Sequence, residues 1–156
     1  MIVEELPDEL REWAARLLRD SWGGVESVSR GRLHRADRLP AFVALDGAAP
    51  VGLATYRFED RECELVTLNS EAPGAGTALL AAVVERARSR GCRRVWLITT
   101  NDNVDALRFY QRRGFVLTAL HRDAIADSRQ LKPSIPEAGA NGIPIRDELE
   151  LEHVFT

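Results

Sequence analysis

Seven residues, Glu71-Ala72-Pro73-Gly74-Ala75-Gly76-Thr77, join an apolar, strand-like run to a strongly helical one. Two glycines one residue apart let the backbone turn tightly and leave its N–H groups uncovered. At a helix N-terminus those donors and the macrodipole together favour an anion, so the chemistry on offer is phosphate or pyrophosphate binding. A dinucleotide-binding turn would need a third glycine at position 79, which is Leu. A Walker-type loop would need Gly-Lys-Ser/Thr after four residues, and that is also missing. What remains is a cradle of backbone N–H groups from residues 74–77, with Thr77 as an added hydroxyl donor.

The elements that must position this turn follow from periodicity. Glu62 to Leu68 reads as a strand, and Thr77 to Arg90 as a helix burying Leu79, Leu80, Val83, Val84 and Ala87. Val95-Trp96-Leu97-Ile98 has the near-continuous apolar character of a strand covered on both faces. Together they predict a βαβ unit with parallel strands, and its ligand end is where the glycine turn sits. Asn101-Asp102-Asn103 caps a short helix, Val104 to Arg113, ended by Gly114, and Phe115 to Leu120 is a further strand. Upstream, Pro7 and Asp8 open a helix whose apolar stripe runs from Leu10 to Trp22. Residues 25–39, with Arg30, Arg32, His34, Arg35 and Arg38, read as a solvated, irregular connection, the alternative being a loop over a site with a guanidinium facing an anionic group. Ala41 to Leu45 and Val51 to Phe58 are strands of an antiparallel meander, and Gly52 predicts a bulge or a close backbone approach. Downstream, Ala124 to Leu131 forms a short helix. Pro133, Pro136, Gly139, Gly142 and Pro144 then break all regularity, in a loop long enough to suggest function. Glu148 to Glu152 alternates strictly, which predicts a half-exposed strand with its carboxylates on one solvent-facing stripe rather than around a metal.

Bulk properties narrow the function. A chain of 156 residues, 45% hydrophobic, suits a single domain over residues 1–156. A net charge of −3 argues against a nucleic-acid partner. The longest apolar run, Ala78 to Val84, is seven residues, too short to cross a membrane. Met1 to Leu6 has no signal-peptide pattern, and Cys63 and Cys92 lack Cys-x-x-Cys spacing. The expectation is a cytoplasmic protein with two buried free thiols.

Residues 62–115 resemble the core of the Gcn5-related N-acetyltransferases, which are acetyl-CoA-dependent transferases. Their pyrophosphate loop, Gln/Arg-x-x-Gly-x-Gly/Ala, is similar to Glu71-Ala72-Pro73-Gly74-Ala75-Gly76. Their second motif is similar to Asn103-Val104-Asp105-Ala106-Leu107-Arg108-Phe109-Tyr110-Gln111-Arg112-Arg113-Gly114-Phe115. The resemblance implies an α/β (α+β) fold with a mixed, mostly antiparallel central sheet flanked by helices. It implies that the two parallel strands splay into a slot for acetyl-CoA. There the pantetheine arm bonds along Val66, Thr67 and Leu68, and the pyrophosphate sits on Gly74, Ala75, Gly76 and Thr77. Asn103 is a cofactor contact, a helix N-cap, or both. Tyr110 is the acid that protonates the departing CoA thiolate, or else a packing residue. Glu64 is the candidate base, acting through water, and Glu62 shares its face. Asp147 or Glu148 would receive a cationic acceptor.

The implied activity is N-acetylation of a small-molecule or peptide amine by direct attack on the thioester. The alternative is an acyl-CoA-binding sensor of the same fold without turnover. A homodimer paired through the late strands is a further expectation from the resemblance. The chain departs from the motif at Glu71, where Gln or Arg is usual, and at Pro73, which removes one N–H donor.

Overall fold

The computed structural model describes residues 1–156. Nine strands and four helices alternate along the chain. They are β1 (Ile2–Glu5), α1 (Arg11–Trp22), β2 (Glu26–Ser29), β3 (Arg32–Arg35), β4 (Ala41–Asp46), β5 (Ala49–Glu59), β6 (Glu62–Ser70) and α2 (Ala75–Ser89). Then come β7 (Arg94–Thr100), α3 (Val104–Gln111), β8 (Val116–His121), α4 (Ala124–Leu131) and β9 (Glu148–Val154). Seven strands form one sheet in the order β1-β4-β5-β6-β7-β9-β8, and β2 and β3 form a separate hairpin. Within the seven-stranded sheet only β6 and β7 run parallel, as the crossover through α2 requires.

Alternation along the strands divides the core between the two sheet faces. On β4, Phe42 and Ala44 face α2, while Ala41 and Val43 face α1. Leu79, Val83 and Ala87 bury one stripe of α2 against Ala54, Tyr56, Leu65 and Leu97. Full burial of Leu79 and Val83 contributes roughly 1.5–3 kcal/mol each. On the other face, Ala14 and Leu18 of α1 pack on Val43 and Leu53. The helix α1 ends at Gly23, whose φ of +75° lets its N–H reach Arg19 O.

Gly52 has both predicted features. The register of β4 against β5 shifts beside it, and a Cβ on it would lie 2.8 Å from Leu79 Cδ1 and 3.0 Å from Asn69 O. A side chain there would push α2 off the sheet.

Two sequence expectations need correction, and one strand is not anticipated by the sequence. Residues 2–5 form β1, which the acidic, non-alternating sequence does not signal; its register against β4 defines it. Residues 25–39 are not an irregular connection. They contain the β2–β3 hairpin, turned by Arg30 (φ +49°) and Gly31 (φ +75°), with Ser29 and His34 buried. Both hairpin strands are short and polar, so they carry no hydrophobic period to read. The β9 carboxylates are not a solvent-facing stripe either. Glu148 is 1% exposed, and Arg94 reaches Glu62, Glu150 and Glu152 from β7.

Candidate active site

The site begins where β6 and β7 part. Their pairing runs only from Glu62–Arg94 to Leu65–Leu97, although β6 continues to Ser70 and β7 to Thr100. The two strands are pulled apart by their outer partners. β6 stays on β5, with an extra residue, Val66, between the Leu65–Tyr56 and Thr67–Thr55 pairs. β7 stays on β9 as far as Thr100–Glu148. A bulge redirects the local backbone and frees its polar groups from the ladder. The opening is a cavity of about 570 Å³, with Leu65 to Leu68 on one wall and Leu97 to Thr100 on the other. The buried Thr55 and Thr67 hydroxyls share a 2.6 Å hydrogen bond behind the first wall.

The glycine turn follows β6 directly. Gly74 takes φ +84° as the N-cap of α2. Two of the four cradle N–H groups are used within the chain: Ala75 donates to Ala72 O and Gly76 to Ser70 Oγ. Those of Gly74 and Thr77 bond to no protein group. A Cβ on Gly76 would stand 3.2 Å from the Phe109 ring, so this glycine brings α3 close to α2. That approach delivers Arg113, whose Nε donates to Thr77 Oγ1 at 2.9 Å while its guanidinium lies over Phe109. Glu71 is exposed and forms no ion pair. A cation therefore stands beside the turn, supplied from just after α3 rather than by position 71.

Asn103 caps α3, its Oδ1 accepting from Ala106 N at 3.2 Å, and it also lines the cavity. Tyr110 lies one face further along α3, between Phe109 and Phe115. It lines the cavity and is 9% exposed. Burial pushes its ionisation up, with no charged or hydrogen-bonding partner acting on it. No buried side-chain polar atom in the chain lacks a partner. The Tyr110 hydroxyl has none in the protein, so its oxygen opens onto the cavity.

The two carboxylate candidates lie in different surroundings. Glu64 is 2% exposed, accepts from Ser29 Oγ at 2.6 Å and from Arg57 Nε at 2.7 Å, and does not line the cavity. Burial raises its pKa against those two hydrogen bonds. His34 bonds to the same Ser29 hydroxyl at 2.8 Å. Burial first, then Arg57 and Arg32, lower its pKa to about 4, so it is neutral here. Glu148 does line the cavity. On its other side it accepts from Arg30 Nη1 at 2.9 Å and, at 3.3 Å, from the Arg30 backbone N–H. The hairpin thus grips both carboxylates and leaves only Glu148 open to the cavity. Glu62 pairs with Arg93 and Arg94 outside it. Asp147 turns away, to Arg146 and the Asp123 N–H, and the Arg146 hydrogen bond lowers its pKa.

The far end of the cavity is closed by α4 and residues 132–145. Arg129 donates to the carbonyls of Pro136 and Ile145, and Lys132 Nζ to those of Trp22 and Glu26. Asp102 accepts from Ala140 N at 3.0 Å and from Thr100 Oγ1. This loop has no regular period, yet its backbone is pinned from three directions.

One cavity therefore gathers Val66, Thr67, Leu68, Asn103 and Tyr110 from the predicted set. Residues 74–77 lie outside it, at the start of α2, and Glu64 lies behind its wall. Sequence reasoning missed Arg113. Arg30 belongs to the stretch for which a guanidinium over the site is the less favoured alternative, and it stands against Glu148 at 2.9 Å. Arg113 fell within the second motif but was read only as the end of its helix.

Comparison with known proteins agrees with this architecture. The model of the Acetyltransferase (GNAT) family matches residues 7–115. The uncharacterized protein YdhI of Bacillus subtilis is 44% identical over 137 residues, 86% of each chain. The uncharacterized protein YxbD of the same organism is 44% identical over 133 residues, 83% of this chain and 84% of its own. Among solved structures, an IAA acetyltransferase from Bacillus cereus superposes with a TM-score of 0.73 at 22% identity, covering 99% of each chain. A Bacillus subtilis acetyltransferase in complex with CoA does so with a TM-score of 0.69 at 18% identity, covering 99% of this chain and 98% of its own. The parallel pair splayed over a glycine turn is thus the frame of a known family, and the chain belongs to the GNAT acetyltransferases.

Proposed function

We propose that the protein is an N-acetyltransferase that moves the acetyl group of acetyl-CoA to an amine, working as one domain over residues 1–156. The observation that carries this is a single cavity at the splay, holding a bulged strand, a free tyrosine hydroxyl and an ionisable carboxylate. Solved relatives with CoA or acetyl-CoA bound support the choice of acyl donor.

In this reading Val66 to Leu68 hold the pantetheine arm as an added strand, and the bulge offers a backbone N–H to the developing oxyanion. The free N–H groups of Gly74 and Thr77, with Arg113 beside them, receive the pyrophosphate. Asn103 adds a contact to the arm. The amine nitrogen attacks the thioester carbonyl carbon in its neutral form. Its remaining proton becomes acidic as the C–N bond forms, and Glu148 takes it. As the C–S bond breaks, Tyr110 gives its proton to the sulfur. One proton leaves nitrogen and one reaches sulfur, so amide and free CoA thiol balance. Glu148 suits the base role better than Glu64, because Glu64 is bound by Ser29 and Arg57 behind the wall.

The test is CoA thiol release from acetyl-CoA with a panel of amines, alongside a thermal shift with acetyl-CoA alone. Acceleration by at least one amine is expected. If acetyl-CoA stabilises the protein while no amine accelerates release, the protein holds acyl-CoA without turning it over.

A further inference from the structure

We infer that the acceptor is a compact monoamine with an apolar body, and that polyamines, aminoglycosides and peptide N-termini are poor substrates. The inference rests on the acetyltransferase reading above and names the substrate class of that same site.

The charge inventory of the acceptor end carries it. Three charged side chains line the cavity: Asp102, Lys132 and Glu148. Asp102 is spent on Thr100 Oγ1 and the Ala140 N–H. Lys132 is spent on two backbone carbonyls. That leaves Glu148 as the one carboxylate to meet an amine, and Arg30 already stands against it at 2.9 Å. The acceptor end therefore holds two carboxylates, Asp102 and Glu148, and two cations, Arg30 and Lys132, and only Glu148 is not already enclosed by uncharged donors. An acceptor with several ammonium groups would bring each further charge into a site whose negative charge is already matched. Burying an unpaired charge is strongly unfavourable.

The remaining surface is uncharged, with apolar side chains set among serines such as Ser27, Ser128 and Ser134. Trp22, Val28, Ile125, Ile135, Pro136 and Ile145 surround this end. They favour a hydrocarbon or aromatic body behind the amine. The space is also limited, because the same 570 Å³ must hold the thioester arm. A peptide N-terminus would need an exit for the rest of its chain. Residues 132–145 border the cavity as a wall with little freedom to move aside, since Arg129 holds the carbonyls of Pro136 and Ile145 and Lys132 holds those of Trp22 and Glu26.

Arg30 is thus a specificity-determining residue. Its guanidinium belongs to the hairpin turn and is 42% exposed as a side chain, so it can be changed without opening the core. Arg30→Asn is the informative variant. It creates an Asn-Gly pair at a turn whose two residues both have positive φ, the pair such hairpins favour. The hairpin survives while the cation is lost.

The experiment measures kcat/KM from CoA release for phenethylamine, isoamylamine, spermidine, an aminoglycoside and trialanine, with wild type and Arg30→Asn. The two monoamines are expected to exceed the other three by at least about tenfold. The variant is expected to raise the spermidine-to-phenethylamine ratio by about fivefold, the scale of one partly exposed charge contact. A wild-type preference for spermidine, the aminoglycoside or the peptide overturns the inference and leaves acetyl transfer standing. An unchanged ratio in the variant overturns the role of Arg30. No acceleration by any amine, with acetyl-CoA still raising the melting temperature, overturns both the inference and the acetyltransferase reading.

Discussion

At the scale of single residues, the proposed acid and the proposed base differ in what touches them: Tyr110 has no charged partner, whereas Glu148 has Arg30. Tyr110 is enclosed by aromatic rings, and burial keeps its phenol protonated well above neutral pH. Tyr110→Phe should lower kcat by roughly 10²-fold or more with little change in the acetyl-CoA thermal shift. Unchanged turnover would remove Tyr110 from the acid role. The two glutamates predict opposite phenotypes. Glu148→Gln should cut kcat/KM by roughly 10²-fold with a small effect on stability. Glu64→Gln removes the buried charge that Arg57 Nε and Ser29 Oγ bond, leaving Arg57 only Glu59 as a carboxylate partner. It should lower stability by roughly 1–3 kcal/mol and leave kcat within a few-fold of wild type. Urea melts and steady-state rates on both variants separate the two roles, and a larger rate loss for Glu64→Gln would restore it as the base. The proposed roles of Tyr110 and Asn103 came from the resemblance of residues 103–115 to the family's second motif. The proposed base did not, because its exposure depends on which carboxylate the remote β2–β3 hairpin leaves uncovered.

At the scale of elements, close backbone approach decides what can vary. The loop after α4 is held against Asp102 through Gly139, where a Cβ would fall 2.1 Å from Asp102 Oδ2 and 2.7 Å from Ile145. Gly139→Ala must push this wall away from β7. Its expected effect is a raised KM for the amine by several-fold or more, with the acetyl-CoA shift preserved. An equal loss of both would show that the wall serves the whole slot. The helices and most strands were readable because α1, α2 and β7 carry strong periods. The length of the long loop suggested a functional or mobile segment, but its pinned shape comes from Arg129, Lys132 and Asp102. Side chains that act on distant carbonyls leave no local pattern.

At the scale of the whole molecule, the buried polar cluster under the hairpin links stability to pH. Folded His34 binds its proton only near pH 4, against 6.5 for an unperturbed histidine. Between those values the unfolded chain holds more protons, so its contribution is fully present above 6.5 and is lost as the pH falls towards 4. The loss should be on the order of 2 kcal/mol. His34→Gln should flatten it, as compared by urea melts at about pH 7 and about pH 4.5. Parallel pH profiles for the two proteins would place the acid sensitivity elsewhere. The thiols give a second global readout. Cys63 is fully buried, with its pKa pushed up to about 12 by burial first, and Cys92 is 8% exposed. Neither should react with a thiol reagent at neutral pH until the protein unfolds. No helix is long and apolar enough to cross a membrane.

The strand order has a consequence for how the molecule is made. β9 lies between β7 and β8, yet it is synthesised after both. A nascent chain that has emerged only as far as residue 147 therefore presents two unpaired edges, and long unpaired edges invite association between chains. β9 also carries Glu148, so under the proposed mechanism its late docking completes the sheet and delivers the base in one event. Recovered turnover during refolding would then count only finished molecules, while helix signals would rise earlier. An extension fused directly after residue 154 would burden the step that closes the sheet.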